Sequence, residues 1–244
     1  MQSLSAAELL DVWEWGFCQT PIERGLALLA AANPDIPAES FAQFAIGRRD
    51  GELLSLREQI FGSDVLALTN CPKCNELLET NLRISEIRIS PNPDLPEGLS
   101  LQSRDYHIDF RLPNSQDLIA LSDVKDPTSL KNLLIGRCIL QIRQGEVEIT
   151  HEQLPEKVLE AILKRMDESD PQANIYLNLS CPVCAHEWRE QFDILGFFWN
   201  EIDDWANRTL GEIHRLASAY GWSESEILSM GAIRRQIYLE KVVE

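Results

Sequence analysis

The sequence predicts an α+β fold, with predominantly helical ends around two β-hairpin knuckles and a mixed α/β insert between the knuckles. Three observations predict it. Helical periodicity with capping signals fills the first sixty residues and returns after residue 194. Two Cys-Pro-x-Cys turns, Cys71-Pro-Lys-Cys74 and Cys181-Pro-Val-Cys184, each sit between alternating segments. Between them, more than a hundred residues mix both periods. With 244 residues, 44% hydrophobic and 25% charged, the chain can bury a core without disulfide staples.

The elements follow in order. Ser5-Ala-Ala-Glu8 has the form of a capping box, and Leu9, Val12 and Trp13 recur behind it at helical spacing. Thr20-Pro21-Ile22-Glu23 repeats the signal, with proline at the first helical position before Leu26, Leu29 and Ala30. A third short helix is expected after Pro37. Gly47-Arg-Arg-Asp-Gly51 opens a helix carrying Leu53, Leu54, Leu56 and Ile60, which Gly62 is placed to end. Arg48, Arg49 and Arg57 on this helix read as surface charges.

The first hairpin is expected from Asp64–Asn70 and from the face formed by Leu78, Thr80, Leu82 and Ile84; the second from Ile175, Leu177 and Leu179 and from Trp188 and Phe192. In the insert, a proline-rich connector, Ser90 to Pro96, precedes a hairpin in which Leu99 and Leu101, then Tyr106, Ile108 and Phe110, alternate around a Ser103-Arg104 turn. Helices are expected near 115–121, 128–141 and 155–168, with a short strand around Val147 to Thr150. His107 and His151 read as isolated surface residues. After the second hairpin, Ile194, Phe198, Ile202, Trp205, Ile213, Leu216 and Tyr220 trace a long amphipathic helix to Gly221. Ser223-Glu-Ser-Glu226 caps a short helix, and Ala232 to Val243 forms the last, with Ile233 and Ile237 expected inward and Arg234 and Arg235 outward. The domain boundaries expected are 1–63 for the N-terminal helical region, 64–84 plus 175–193 for the hairpin pair, 85–174 for the insert and 194–244 for the C-terminal helical region.

The cysteines carry the chemistry. Each knuckle supplies two thiolates, and Cys71, Cys74, Cys181 and Cys184 together complete a tetrahedral shell, as in structural rather than catalytic zinc sites. Two hairpins meeting at one ion form a split zinc ribbon. Iron uses the same four sulfurs in rubredoxin fashion and stays an alternative. A thioredoxin-like redox pair is disfavoured because strands, not a helix, follow each turn. Metal-free thiols packed as small apolar groups suit Cys18 and Cys138 better than the pairs. His186, beyond the second knuckle, reads as a neighbour of the site or a surface residue.

Composition excludes several functions. The formal charge is −17, from 22 Lys and Arg against 39 Asp and Glu, and the acidity is spread evenly along the chain. Direct nucleic-acid binding, which needs clustered cations, is therefore not expected. The longest apolar run, Leu26 to Ala32, falls far short of the roughly 20 residues of a spanning helix, so no membrane insertion is expected. With Arg24 as the first basic residue, no secretory start is read, and a cytoplasmic location is expected. Nucleotide-binding, nucleophile-elbow and zinc-protease motifs are all absent, Asp203-Asp204 reads as a solvated pair, and no enzymatic activity is expected.

Several segments taken together carry a resemblance. They are Val12-Trp-Glu-Trp-Gly16, Pro21 to Leu29, Gly47-Arg-Arg-Asp50, Leu53-Leu54-x-Leu56-Arg57, Phe61-Gly62 and the two knuckles. At the other end come Tyr220-Gly-Trp-Ser-Glu224, Ile227-Leu228 and Arg234-Arg235-x-x-Tyr238-Leu239-Glu240. This ordered set resembles the T-even-phage-type baseplate hub assembly chaperone family, in the bacterial branch associated with contractile injection systems and phage-tail-like particles. The resemblance covers nearly the whole chain. It implies a non-enzymatic protein that assists or joins the baseplate hub and central spike of a contractile particle, with those proteins as partners. An acidic surface shielding basic patches of an unassembled hub subunit would make that association salt-sensitive. The reading from another class is a zinc-ribbon regulator or adaptor acting with the transcription apparatus.

Overall fold

The computed structural model describes residues 1–89 and 98–243. The chain divides into two units, one made of Met1–Asp35 with Ile194–Glu244 and the other of Ile36–Asp193.

The first unit is helical. Helix α1 (Ala6–Gly16) starts at Ser5 and α2 (Pro21–Ala32) at Thr20. In both, the hydroxyl accepts from the N–H three residues on, and that residue's carboxylate accepts from the cap N–H. These boxes satisfy first-turn donors that the helix itself leaves open. Gly16 is required where α1 ends, because a Cβ there would overlap the indole of Trp199. Arg24 lies over the same indole, 4.5 Å from its centroid, and its Nε donates to the Gly16 carbonyl at 2.8 Å.

The second unit begins with α3 (Ala38–Ala42) and α4 (Ile46–Phe61). Leu53, Leu54 and Leu56 of α4 are buried as expected, and Gly62 closes the helix at φ 91°. Arg49 and Arg57 are each only 3% exposed, which corrects their reading as surface charges. Each lies inside because partners meet its guanidinium. Arg49 bonds Asp50 and the Ser115 hydroxyl, and Arg57 donates to the Gly62 carbonyl at 2.7 Å. Asp170 accepts from the Gly47 N–H at 2.9 Å and so caps α4 from a distant part of the chain.

Strands β1 (Asp64–Asn70) and β2 (Leu77–Arg83) pair antiparallel in unbroken register, Asp64 opposite Arg83 and Asn70 opposite Leu77. Ile84 was expected to continue the β2 face; instead it is fully buried and opens the single-turn α5 (Ile84–Ile87). The proline-rich connector lies outside the described residues. Next come β3 (Leu99–Ser103) and β4 (Tyr106–Phe110), then α6 (Ser115–Ala120) and α7 (Pro127–Cys138). Strands β5 (Ile139–Gln144) and β6 (Val147–Glu148) complete a four-stranded sheet of order β3-β4-β5-β6. The helix expected over 128–141 therefore stops at Cys138. Ile142 pairs opposite Ile108 and is buried beneath α8 (Glu156–Ser169), and this strand pairing outweighs the local helical pattern. Leu99, Ile108, Phe110, Cys138, Ile142, Val158 and Ile162 form the core there. Strands β7 (Tyr176–Ser180) and β8 (Glu187–Gln191) make the second separate hairpin.

The chain then returns to the first unit. Helix α9 (Ile194–Tyr220) buries Ile194, Phe198, Ile202, Ile213 and Leu216, and Gly221 follows it at φ 71°. The Trp13 indole donates to Asp203 at 2.8 Å, so Asp203 is a partnered acceptor rather than a merely solvated charge. Helices α10 (Glu224–Leu228) and α11 (Ala232–Val243) pack on α9. The expected orientation of α11 fails for Ile233, Ile237 and Arg235, whereas Arg234 is exposed as expected. Ile233 is 81% exposed and Ile237 48%, while Leu239 is buried and Arg235 pairs with Glu212 at 2.9 Å. The aromatic trio Tyr220, Trp222 and Tyr238 fixes the helix on this face, where an isoleucine stripe would displace it. Among the described residues, no helix is long and apolar enough to cross a membrane.

Candidate metal centre

The two knuckles are built alike. Each follows directly on a strand, so its first cysteine continues the ladder: the Cys71 N–H donates to the Glu76 carbonyl at 2.8 Å, and the Cys181 N–H to that of His186 at 2.9 Å. The chain then turns back on itself, the Asn75 N–H donating to the Cys71 carbonyl and the Ala185 N–H to that of Cys181, both at 2.9 Å. The turn places Asn75 at φ 60° and Ala185 at φ 54°. Asparagine tolerates that left-handed conformation, whereas alanine accepts it at a cost of about 1 kcal/mol. The second proline-cysteine turn holds its shape against this strain.

The four sulfurs expected to act together do lie together. Cys71 Sγ is 3.7 Å from Cys184 Sγ, Cys74 Sγ is 3.6 Å from Cys181 Sγ, and all four lie within 4.8 Å of one another. A tetrahedron with metal–sulfur bonds of about 2.3 Å has edges of about 3.8 Å, so the donor set fits one ion. The first cysteine of each knuckle is buried, Cys74 is exposed and Cys184 is half-buried. Each close pair joins a buried sulfur of one hairpin to the outer sulfur of the other. The centre thereby couples positions more than a hundred residues apart.

Ionisation at this spacing calls for a cation. Burial works to raise the Cys71 thiol, but the backbone N–H groups of Cys74 and Lys73 aim at its sulfur and the neighbouring thiols donate to it, bringing it down to about 7. At Cys74 a backbone N–H bond favours the thiolate, yet burial and the competing sulfurs outweigh it and push the thiol up to about 12. One thiolate at this centre makes the next unfavourable. Positive charge at the middle reverses that logic, because a coordinated thiol is deprotonated outright. With four sulfur donors in the set, the shell is complete and the arrangement suits a structural ion rather than a catalytic one.

The other candidates separate from this centre. Cys138 is fully buried in the insert's core, where burial and the nearby Asp117 carboxylate push its thiol up to about 12. Cys18 is exposed, which corrects its reading as a packed apolar group. The His186 ring stacks on Trp188, with centroids 6.0 Å apart. His107 stands 3.5 Å from Asp109, and the His151 ring packs over Gly136, leaving no room there for a Cβ.

Sequence reasoning missed a charged cluster in the same unit. The Asp117 side chain, 1% exposed, accepts from both terminal nitrogens of Arg111, from Nε of Arg137 and from the Asn114 N–H. Burial would raise this carboxyl, but those bonds, Arg111 first, hold it below the usual carboxylate range. The only trace in the sequence is the Asn114-Ser-Gln-Asp117 box, since the arginines lie on other elements. The cluster ties α6, α7 and the chain after β4 together and has the character of a structural clasp.

A family model described as T4 bacteriophage base plate protein matches residues 32–199, a span that holds all four cysteines of the centre. No curated protein and no solved structure matches the chain.

Proposed function

Because the chain belongs to the T4 bacteriophage base plate protein family, we propose that it is a non-enzymatic assembly factor or structural component of a contractile particle, acting at the baseplate hub and central spike. The family match over 32–199 is the observation that carries this reading. The hub and spike are the partners implied by the resemblance of the chain's two ends, which lie largely outside the matched span. In the same reading Cys71, Cys74, Cys181 and Cys184 hold a structural zinc. Its chemistry would be cross-linking: four thiolates drawn from two distant hairpins close a long loop and fix it. The strands deliver the sulfurs, the left-handed residues Asn75 and Ala185 turn each knuckle, and the backbone N–H groups steady the thiolates.

The net charge of −17 suits an assembly partner for basic surfaces that must not associate too early. Association with a hub subunit is therefore expected to weaken as salt rises. The deciding experiment is native-level tagging in the source cell, sedimentation of contractile particles, and mass spectrometry of pellet and supernatant. A fixed ratio to hub and spike subunits in the pellet identifies a permanent component. A soluble complex with hub or spike precursors identifies a chaperone. Absence from both overturns the baseplate reading.

A further inference from the structure

Two hairpin edges in the second unit have no strand partner, and β2 carries only Glu79 and Arg83 as charged residues. Strand β2 pairs only with β1 and β7 only with β8, so among the described residues each offers one unpaired backbone edge. Natural edge strands are commonly blunted by lysine, proline or a bulge. Neither strand contains lysine or proline, and both registers run without a shift. A groove of about 420 Å³ runs along these edges, with Leu77, Glu79 and Thr80 of β2 on one wall, Leu179 and Ser180 of β7 on the other, and Val183 at the end. Residues from both faces of β2 line it, which makes it an edge feature rather than a hollow over one face. Two of its apolar groups face water, Leu77 at 59% exposed and Val183 at 66%, while Leu78 and Leu179 are half-buried. Its charged wall groups are Glu76 and Glu79, with no cation among the lining residues.

We infer that this groove takes up an extended segment of a partner protein by strand addition, a segment with alternating apolar side chains flanked by Lys or Arg. Backbone pairing along an open edge supplies affinity, alternate side chains fill the apolar positions, and the two glutamates select positive charge. A second copy of this chain is the poorer occupant, because two chains of charge −17 would bring like-charged walls together. The groove and its test stand apart from the baseplate reading and need no baseplate subunit.

The test is an NMR titration of the isotope-labelled full chain, as purified, with a short peptide of alternating valine and threonine carrying lysine at both ends. A second peptide has glutamate in place of lysine. The lysine peptide is expected to shift the amides of Leu77 to Thr80 and of Leu179 and Ser180, and to bind at least about tenfold more tightly than the glutamate peptide. Reversing the wall with Glu76→Lys and Glu79→Lys is expected to reverse that preference; Glu79→Gln, which only weakens it, serves if the double variant does not fold. Absence of shifts at millimolar peptide, shifts confined to other surfaces, or equal affinity for the two peptides would each overturn the inference. So would concentration-dependent broadening of the same amides without peptide, which would place a second copy in the groove.

Discussion

The four knuckle cysteines differ from Cys138 in what surrounds the sulfur, and substitution should separate them. Cys74→Ser or Cys184→Ser removes one of four donors and is expected to abolish stoichiometric metal, read by elemental analysis, and to make the hairpins protease-sensitive. Cys138→Ala leaves metal content unchanged and costs about 1 kcal/mol through the cavity it opens. Asp50 offers a pH test. Burial, aided by the charges of Asp193 and Asp170, outweighs Arg49 and pushes its carboxyl up to about 6. Between about pH 4 and 6 the folded chain holds a proton that the unfolded chain has released, so stability from this group falls as pH rises through that window. In urea unfolding the native protein should therefore lose about 2 kcal/mol more than Asp50→Asn between pH 4.5 and 7. Equal losses would show that Asp50 titrates normally.

At the scale of the element, local rules gave much of the helical framework. The boxes at Ser5, Thr20 and Ser223 form as written in the sequence, because each is closed within four residues. Faces were less legible where aromatic and aliphatic stripes compete, as on α11. The observed orientation makes Ile233→Ser nearly neutral, within about 0.5 kcal/mol, whereas Leu239→Ala should cost about 3 kcal/mol. Thermal or denaturant unfolding of the two variants reads the difference directly. The opposite ranking would restore the inward isoleucines. Strand β5 likewise follows its partner β4, since its own sequence also fits a helix.

On the scale of the molecule, the long hairpin-to-hairpin closure is the distinctive feature. The metal reading makes the unit Ile36–Asp193 depend on an ion whose four candidate ligands all belong to that unit. Chelation at neutral pH is expected to remove amide hydrogen-exchange protection from β1, β2, β7 and β8 while the helices α1, α2 and α9 keep theirs. Uniform loss of protection would instead indicate one cooperative structure.

The sequence by itself determined the four-cysteine cluster, the hairpins that carry it, the helical ends and the starts of the capped helices. These depend on spacing, alternation and caps, all of which are local. Tertiary structure decided which charges go inside, where α7 yields to β5, which side of α11 faces α9 and how the open edges of β2 and β7 come to border one groove. Those outcomes rest on partners that other elements deliver: Ser115 for Arg49, Arg137 and the nearer Arg111 for Asp117, Glu212 for Arg235. A buried charge is tolerated only where such partners converge, and convergence is a property of the folded chain rather than of any window along it.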